Sequence, residues 1–548
     1  MYYLVGLKKQ TRTRRLKQEI MKKSGTVYTV IFIVWGVCLA GLAFVTVRLC
    51  LSLDYTLLRS YFIAVLFSVN SAVLGVMWLG SIKDFVFSLT YALCKKKFRL
   101  RYEQAICAEL PSPEEAPRFL LLYCTCNDFN ERALAISIRQ NYPNFKTVIL
   151  DDSGKDEYKE RVDTFAEKYG VEVVRREDRT GFKAGNLNNY LRGRTDYEYF
   201  VILDSDEIIP PGYIMQALRY FRSNERFGAV QARHSATAGA NVFQRLMGMG
   251  VRSNGSTVQV VKNFYGANAL IGHGMAVSRA CYEKTGGFPL VVAEDISFAV
   301  DIKNAGFEIV YAPDIHCYEE FPTDYASLKK RQCKWVQGNL EYIKKYNRDI
   351  GRSKMRWFEK ADLKLSHYPL PLMPLLSLLL VLCTLALGFL GFPVVRYSLF
   401  VYGLMILFLC SPLIPDLFVY STDRNNVLLI LPAFLLNVAT YASFAPMLLR
   451  TVICGLFGKK ATFTVTPKQS RKFTFRQIVR YSAAPVLFAL VLFALSLFAC
   501  RSVVPVLLLG GGCLLTPLIL VLCNVAAKRQ TAANSRKVKD GTRAESER

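Results

Sequence analysis

At 548 residues the chain is long enough for one or two domains with full cores, and 52% hydrophobic residues is high for a soluble protein that also carries 21% charged residues. Its 70 Lys and Arg against 43 Asp and Glu give a formal charge of +27, which taken alone would fit a nucleic-acid binder. The basic runs (Lys8 to Lys23, Lys95 to Arg101, Lys459 to Arg480, Lys528 to Arg548) instead abut apolar segments, the arrangement that anchors cytosolic loops to anionic lipid, so membrane lipid and no nucleic acid is the expected contact.

In chain order, a basic N-terminus (1–26) leads into two expected transmembrane helices within 27–93, Val27–Val47 and Tyr61–Gly80. The first is a full span of about 20 residues and not the shorter core of a cleavable signal. Residues 94–323 have ordinary globular composition. Residues 324–368 mix Trp335, Tyr342, Tyr346, Trp357 and Phe358 with many Lys and Arg, which suits amphipathic helices on a membrane surface. Two further spans are expected in 369–420 and two in 481–526. Leu428–Leu449 is a seventh apolar run, but seven crossings would place both the basic 459–480 loop and the basic 527–548 tail outside, against the positive-inside rule. With Pro432, Asn437, Thr440, Tyr441 and Pro446 it reads as an interfacial helix within 426–458. The result is a multi-pass plasma-membrane protein with the large domain and both termini cytosolic; seven true spans is the alternative. The fifteen cysteines read as reduced, small core residues.

Inside the large domain, apolar runs alternate with helical stretches: Phe119–Cys124, Arg132–Gln140, Thr147–Asp151, Lys155–Tyr169, Val171–Arg175, Tyr199–Asp204. That alternation predicts an α/β domain on a mostly parallel sheet, whose ligands bind outside the carboxyl ends of the strands. Two acidic clusters fall there, Asp151-Asp152 and Asp204-Ser205-Asp206. Carboxylates one residue apart can aim hard oxygens at Mg²⁺ or Mn²⁺; a strand followed by an Asp-rich turn would read the same way.

Asp151-Asp152, Lys183-Ala184-Gly185-Asn186, Asp204-Ser205-Asp206, Glu294-Asp295 and Arg331-Gln332-Cys333-Lys334-Trp335, in this order and spacing, resemble the signature of membrane-integrated family 2 glycosyltransferases, the group of cellulose, curdlan and mixed-linkage glucan synthases. Phe463, Val465, Thr466 and Lys468 resemble the gating loop of bacterial cellulose synthase. The resemblance implies a GT-A catalytic domain with a mixed, mostly parallel sheet, joined to transmembrane and interfacial helices. It implies donor contacts from Asp151, Asp152, Lys183, Asp204 and Asp206, with the metal on Asp204 and Asp206, and Asp295 as general base. Trp335, Glu294 and His273 would meet the acceptor, and Arg331, Gln332 and Lys334 phosphate or acceptor. Lys334 stands where the family has Arg, and Ala293 where it often has Thr. The implied activity is processive, inverting polymerisation of a β-linked polysaccharide from a UDP-sugar, UDP-glucose favoured, with the growing polysaccharide as acceptor. Single-sugar transfer to a lipid-linked acceptor is the alternative, and a non-catalytic transporter or receptor a third reading.

Overall fold

The computed structural model describes residues 23–392, 399–422, 424–459, 461 and 472–527. Seven strands make one sheet: β1 (Phe119–Thr125), β2 (Phe145–Asp151), β3 (Glu172–Val174), β4 (Tyr199–Asp204), β5 (Phe227–Ala236), β6 (Met275–Ser278) and β7 (Glu308–Glu319). Their order is β3-β2-β1-β4-β6-β5-β7. Only β6 among these runs antiparallel to its neighbours; the other pairings are parallel. The expected mixed, mostly parallel sheet is therefore what forms.

The central strands are continuous apolar runs because both faces of the sheet are covered. Leu121, Tyr123, Val201 and Leu203 point into one core, while Leu120, Leu122, Phe200 and Ile202 point into the other, as the two-residue period of a strand requires. Register then builds the site. Thr125 at the end of β1 pairs with Asp151 on one side, and Cys124 pairs with Asp204 on the other. Two acidic clusters more than fifty residues apart in sequence are thereby set side by side at the carboxyl edge.

Among the described residues six helices are long and apolar enough to cross a membrane: Thr26–Leu51, Leu58–Gln104, Pro369–Phe389, Ile430–Leu456, Phe475–Cys500 and Val504–Asn524. Val401–Leu409 and Leu413–Tyr420 pass the same test only as a pair, bent by 45° at their break. Ile430–Leu456, expected as interfacial, thus has the length and composition of a span.

Contacts show which helix ends meet the sheet domain. Ser24 N donates to Phe264 O at 2.9 Å just before the first helix, and Tyr102, near the end of the second, accepts from Asn263 Nδ2 at 2.6 Å. Tyr420 Oη donates to Met249 O at 3.0 Å, and Val242 N donates to Val525 O at 2.9 Å after the last helix. Ile430–Leu456 meets the domain at several points along its second half. Tyr325 meets Ser443, Thr451 Oγ1 donates to Cys333 Sγ, and Lys344 Nζ donates to Gly455 O at 2.9 Å. Those partners lie on the amphipathic helix Tyr325–Arg352, which starts on an Asp324 cap that accepts from Ser327 N.

Candidate active site

A cavity of about 1810 Å³ opens at the carboxyl edge of the sheet and continues between the apolar helices. Asp152, Lys183, Asp204, Asp206, His273, Glu294, Asp295, Arg331, Gln332, Lys334 and Trp335 all line it. Eleven side chains expected at the site from sequence are thus brought to one space. Phe463, Val465, Thr466 and Lys468 lie outside the described residues.

Asp151 is placed differently from its neighbour. Its side chain has no accessible surface and it does not line the cavity. Arg175 Nε donates to its Oδ2 at 2.7 Å, and Ser153 N to its Oδ1 at 2.8 Å. The expected direct donor contact is replaced by a supporting position, because β2 turns successive side chains to opposite faces. Asp152 faces the cavity and takes a bidentate contact from Arg176, at 3.0 and 2.7 Å. Arg176 also donates to Thr180 O at 2.8 Å and Phe182 O at 2.7 Å, clamping the turn that carries Phe182 at φ +52°.

That clamp explains Gly185. A Cβ there would lie 2.0 Å from Thr180 O and 2.7 Å from Arg176 Nη1. Gly185→Ala is expected to destabilise the protein by about 1–3 kcal/mol, the usual cost of overpacking against backbone. It should also displace Arg176 from Asp152, and thermal unfolding of the purified chain would show the loss of stability.

Lys183 Nζ donates to Asp204 Oδ1 and to Gly272 O at 2.6 Å. Burial works against its charge, but Asp204 beside it prevails and raises its pKa. Asp206 Oδ2 accepts from Glu320 N at 3.0 Å. Asp295 lies in the first turn of the helix Glu294–Asn304 and accepts from Ile296 N at 2.8 Å. A Cβ at Gly272, which has φ +90°, would lie 3.3 Å from Asp295 Oδ2, so a single residue joins the Lys183 side of the site to the Asp295 side. Burial pushes both carboxyls of the Glu294–Asp295 pair up, Glu294 to about 7 with Asp295 adding to the effect.

On the opposite wall the Arg331 guanidinium lies 4.7 Å from the Phe321 ring and 4.6 Å from the Trp335 ring, a cation–π stack. Trp335 remains 44% exposed, so part of its side chain is open to a ligand. Burial lowers the pKa of Lys334 even with Asp204 and Glu294 near it.

His273 does not offer its nitrogens to the open cavity. Nδ1 lies 3.1 Å from Glu207 Oε2 and Nε2 lies 3.1 Å from Glu319 Oε2. Burial opposes its charge, but Glu207 and Glu319 raise its pKa well above the usual histidine value. Burial would lift Glu207, yet His273 and His234 bring it to about 2. The expected acceptor contact is therefore not the geometry found. His234, Glu319, Arg175 and Arg176 carry no local signal in the sequence, and Glu207 belongs to the Asp204–Glu207 acidic cluster but had no site role expected of it.

Residues 121–338 match the family model described as glycosyltransferase like family 2. This stretch is a family 2 glycosyltransferase-like domain. The domain is embedded in a chain of apolar, membrane-type helices. One curated relative, glucans biosynthesis glucosyltransferase H from Vibrio cholerae, is 25% identical over 330 residues, 55% of this chain. The aligned region spans 44% of that relative's length. Among solved structures, the mannosyltransferase PcManGT from Pyrobaculum calidifontis, in complex with GDP-Man and Mn²⁺, is 20% identical with a TM-score of 0.43. The match covers 69% of this chain and 100% of that one. TarS 1–349 from S. aureus is 14% identical with a TM-score of 0.30, covering 66% and 98%.

Proposed function

We propose that this chain is a processive, inverting glycosyltransferase that extends a β-linked polysaccharide, a glucan first among candidates, from a UDP-sugar on the cytosolic side of the plasma membrane and passes it through its own helices. The observation that carries this reading is the continuity of the cavity. It runs from Asp204 and Asp295 past Trp335 to Met405, Leu409 and Leu509 on the apolar helices. A single-sugar transferase needs room for one acceptor end; a polymerase needs an exit for the chain.

In this reading the diphosphate lies by Lys183, and Asp152 with its Arg176 partner meets the nucleoside. A hydroxyl of an acceptor sugar whose ring stacks on Trp335 gives its proton to Asp295 as its oxygen attacks the anomeric carbon. The bond from that carbon to the nucleotide breaks on the opposite face, the configuration inverts, and UDP leaves. Glu294 meets the acceptor beside Asp295. Arg331, Gln332 and Lys334 share the phosphate and acceptor wall.

Asp204 and Asp206 fit a divalent cation, Mg²⁺ or Mn²⁺. Both are hard-oxygen donors at the end of one strand and line the cavity, and the Asp204 side chain is 40% exposed. When bound, such an ion would offset charge on the leaving diphosphate.

The membrane arrangement inferred from the helix-end contacts has six crossings: Thr26–Leu51, Leu58–Gln104, Pro369–Phe389, the bent pair 401–420, Phe475–Cys500 and Val504–Asn524. Ile430–Leu456 then lies along the amphipathic helix at the interface, supported by its three contacts at Ser443, Thr451 and Gly455. This parity keeps residues 1–26 and 527–548 on the side of the catalytic domain, as the positive-inside rule asks.

The test is product analysis. Purified protein in lipid nanodiscs with radiolabelled UDP-glucose and Mg²⁺ or Mn²⁺ is expected to give high-molecular-weight polymer sensitive to a β-glucanase. Labelled product confined to single-addition lipid species would overturn processivity. Polymer formed only from another nucleotide sugar would move the substrate while keeping the mechanism.

A further inference from the structure

In the cavity wall and just behind it four ionisable side chains form a closed box. The imidazoles of His234 and His273 are stacked, with centroids 4.4 Å apart and planes 4° from parallel. Glu207 closes one edge, with Oε1 3.2 Å from His234 Nε2 and Oε2 3.1 Å from His273 Nδ1. Glu319 closes the other, with Oε2 3.1 Å from His273 Nε2 and 3.8 Å from His234 Nδ1. The Glu207 side chain has no accessible surface and His234 only 4%.

The ligand types invite a transition-metal reading, since His234, His273 and Glu319 approach one another closely, as do Glu207, His234 and Cys317. Ring geometry argues against the first group. An imidazole nitrogen binds a metal along the lone pair in its own ring plane, at about 2.0–2.1 Å. Two rings stacked face to face direct those lone pairs along parallel planes, so they do not converge on one ion. In the second group Glu207 already faces both imidazoles.

What the box touches gives it a different role. Glu207 follows Asp206 directly in sequence. Glu319 precedes Glu320, whose N–H holds Asp206 Oδ2. His273 lies between Gly272, whose carbonyl accepts from Lys183, and Gly274, whose N–H donates to Ile202 O on β4 at 2.9 Å. Gly274 has φ +57°, and a Cβ there would sit 2.3 Å from both Glu207 Oε1 and His234 Nε2. The loop can press onto the box only because that residue is glycine.

We propose that the Glu207–His234–His273–Glu319 box is a positioning device that fixes the register between the donor-phosphate groups, Lys183, Asp204 and Asp206, and the base Asp295. It acts through backbone on three sides and needs no contact with substrate. The inference rests on the glycosyltransferase reading above. Buried carboxylate–imidazole contacts of this kind orient a site by holding the loops on either side of it.

The experiment compares Glu207→Gln, His234→Gln and Glu319→Gln with wild type in the purified full chain. Glu319, at the cavity edge, gives a variant more tolerant of folding than the fully buried Glu207. The expected result is a fall in kcat for sugar transfer of about 10- to 100-fold, the scale of a misplacement near 1 Å. Affinity for UDP should stay unchanged, and more UDP should be released by hydrolysis per sugar transferred. A role confined to stability would instead lower thermal stability, UDP affinity and both rates together, and that outcome overturns the proposal. So does wild-type kcat and coupling in all three variants, or a stoichiometric transition metal in wild type that Glu207→Gln loses. Transfer that survives Asp295→Asn would sink the catalytic reading itself, whatever the box variants do.

Discussion

Asp295→Asn is expected to lower sugar transfer by about 10²- to 10⁴-fold, the range a positioned general base contributes, while leaving the protein folded and able to bind UDP. Folding should survive because asparagine keeps the oxygen that accepts from Ile296 N and changes the volume little. UDP should still bind because the Asp152–Arg176 pair lies on other elements, at the ends of β2 and β3. Burial raises the pKa of Asp295 and lifts Glu294 to about 7, and two adjacent carboxyls titrate as a pair. The acid limb of kcat/KM should therefore lie above the ordinary carboxylate range. Burial alone raises Asp295, so in Glu294→Gln, where Asp295 titrates by itself, the limb should stay above that range. The stability sign is the reverse of a salt-bridged acid. Below the unfolded value near 4.5 the raised Glu294 contributes its full share to stability, and this share is lost as pH rises through about 7. A pH–rate profile of wild type and Glu294→Gln checks the first statement, and thermal unfolding across pH 4.5 to 7 the second.

The fold was legible where the chain obeys one simple pattern. β1 and β4 are apolar runs ending in polar residues and buried through their middles, and β2 becomes one from Val148 to its terminal Asp151. β5 and β7 were not visible, because β5 carries Gln231, Arg233 and His234, and β7 carries Asp314 and His316, polar residues that serve the site and its surroundings. β6 is four residues long, too short for periodicity to register. The same division holds in the site. Asp204, Asp206 and Asp295 could be picked out since their chemistry is local to a strand end or a helix start. The pairings Arg175–Asp151, Arg176–Asp152 and the four-residue box depend on chain segments 24 to 112 residues apart. No local pattern announces a partner at that range. The interfacial assignment of the 426–458 segment came from loop charge, not from hydropathy, which reads Ile430–Leu456 as a span.

Chelation with EDTA is expected to abolish transfer, and Asp206→Asn to lower it by about 10²- to 10³-fold at saturating cation. Metal-assisted stabilisation of a leaving diphosphate is worth several kcal/mol, and each 1.36 kcal/mol is tenfold in rate. Charge already crowds the cavity that the donor would enter. The cavity lining includes carboxylates of Asp128, Asp152, Asp204, Asp206, Glu294, Asp295, Glu319 and Glu320, and the cations near them include Lys183, Arg179, Arg331 and Lys334. Lys183 is already committed to Asp204, and Arg331 to its aromatic sandwich. A nucleoside diphosphate entering that wall adds further negative charge, which repels the acids unless a cation comes with it. Asp206→Asn is the informative variant because an asparagine oxygen can still accept from Glu320 N, so the turn keeps its shape while losing a charge. Asp204→Asn would also strip Lys183 of its ion-pair partner and so would report on two effects at once. Titration of Mn²⁺ against UDP release separates the alternatives. A raised cation requirement in Asp206→Asn, recovering part of the rate at high Mn²⁺, fits a ligand role. A loss that no cation concentration relieves, with UDP binding intact, would move the residue from metal binding to positioning.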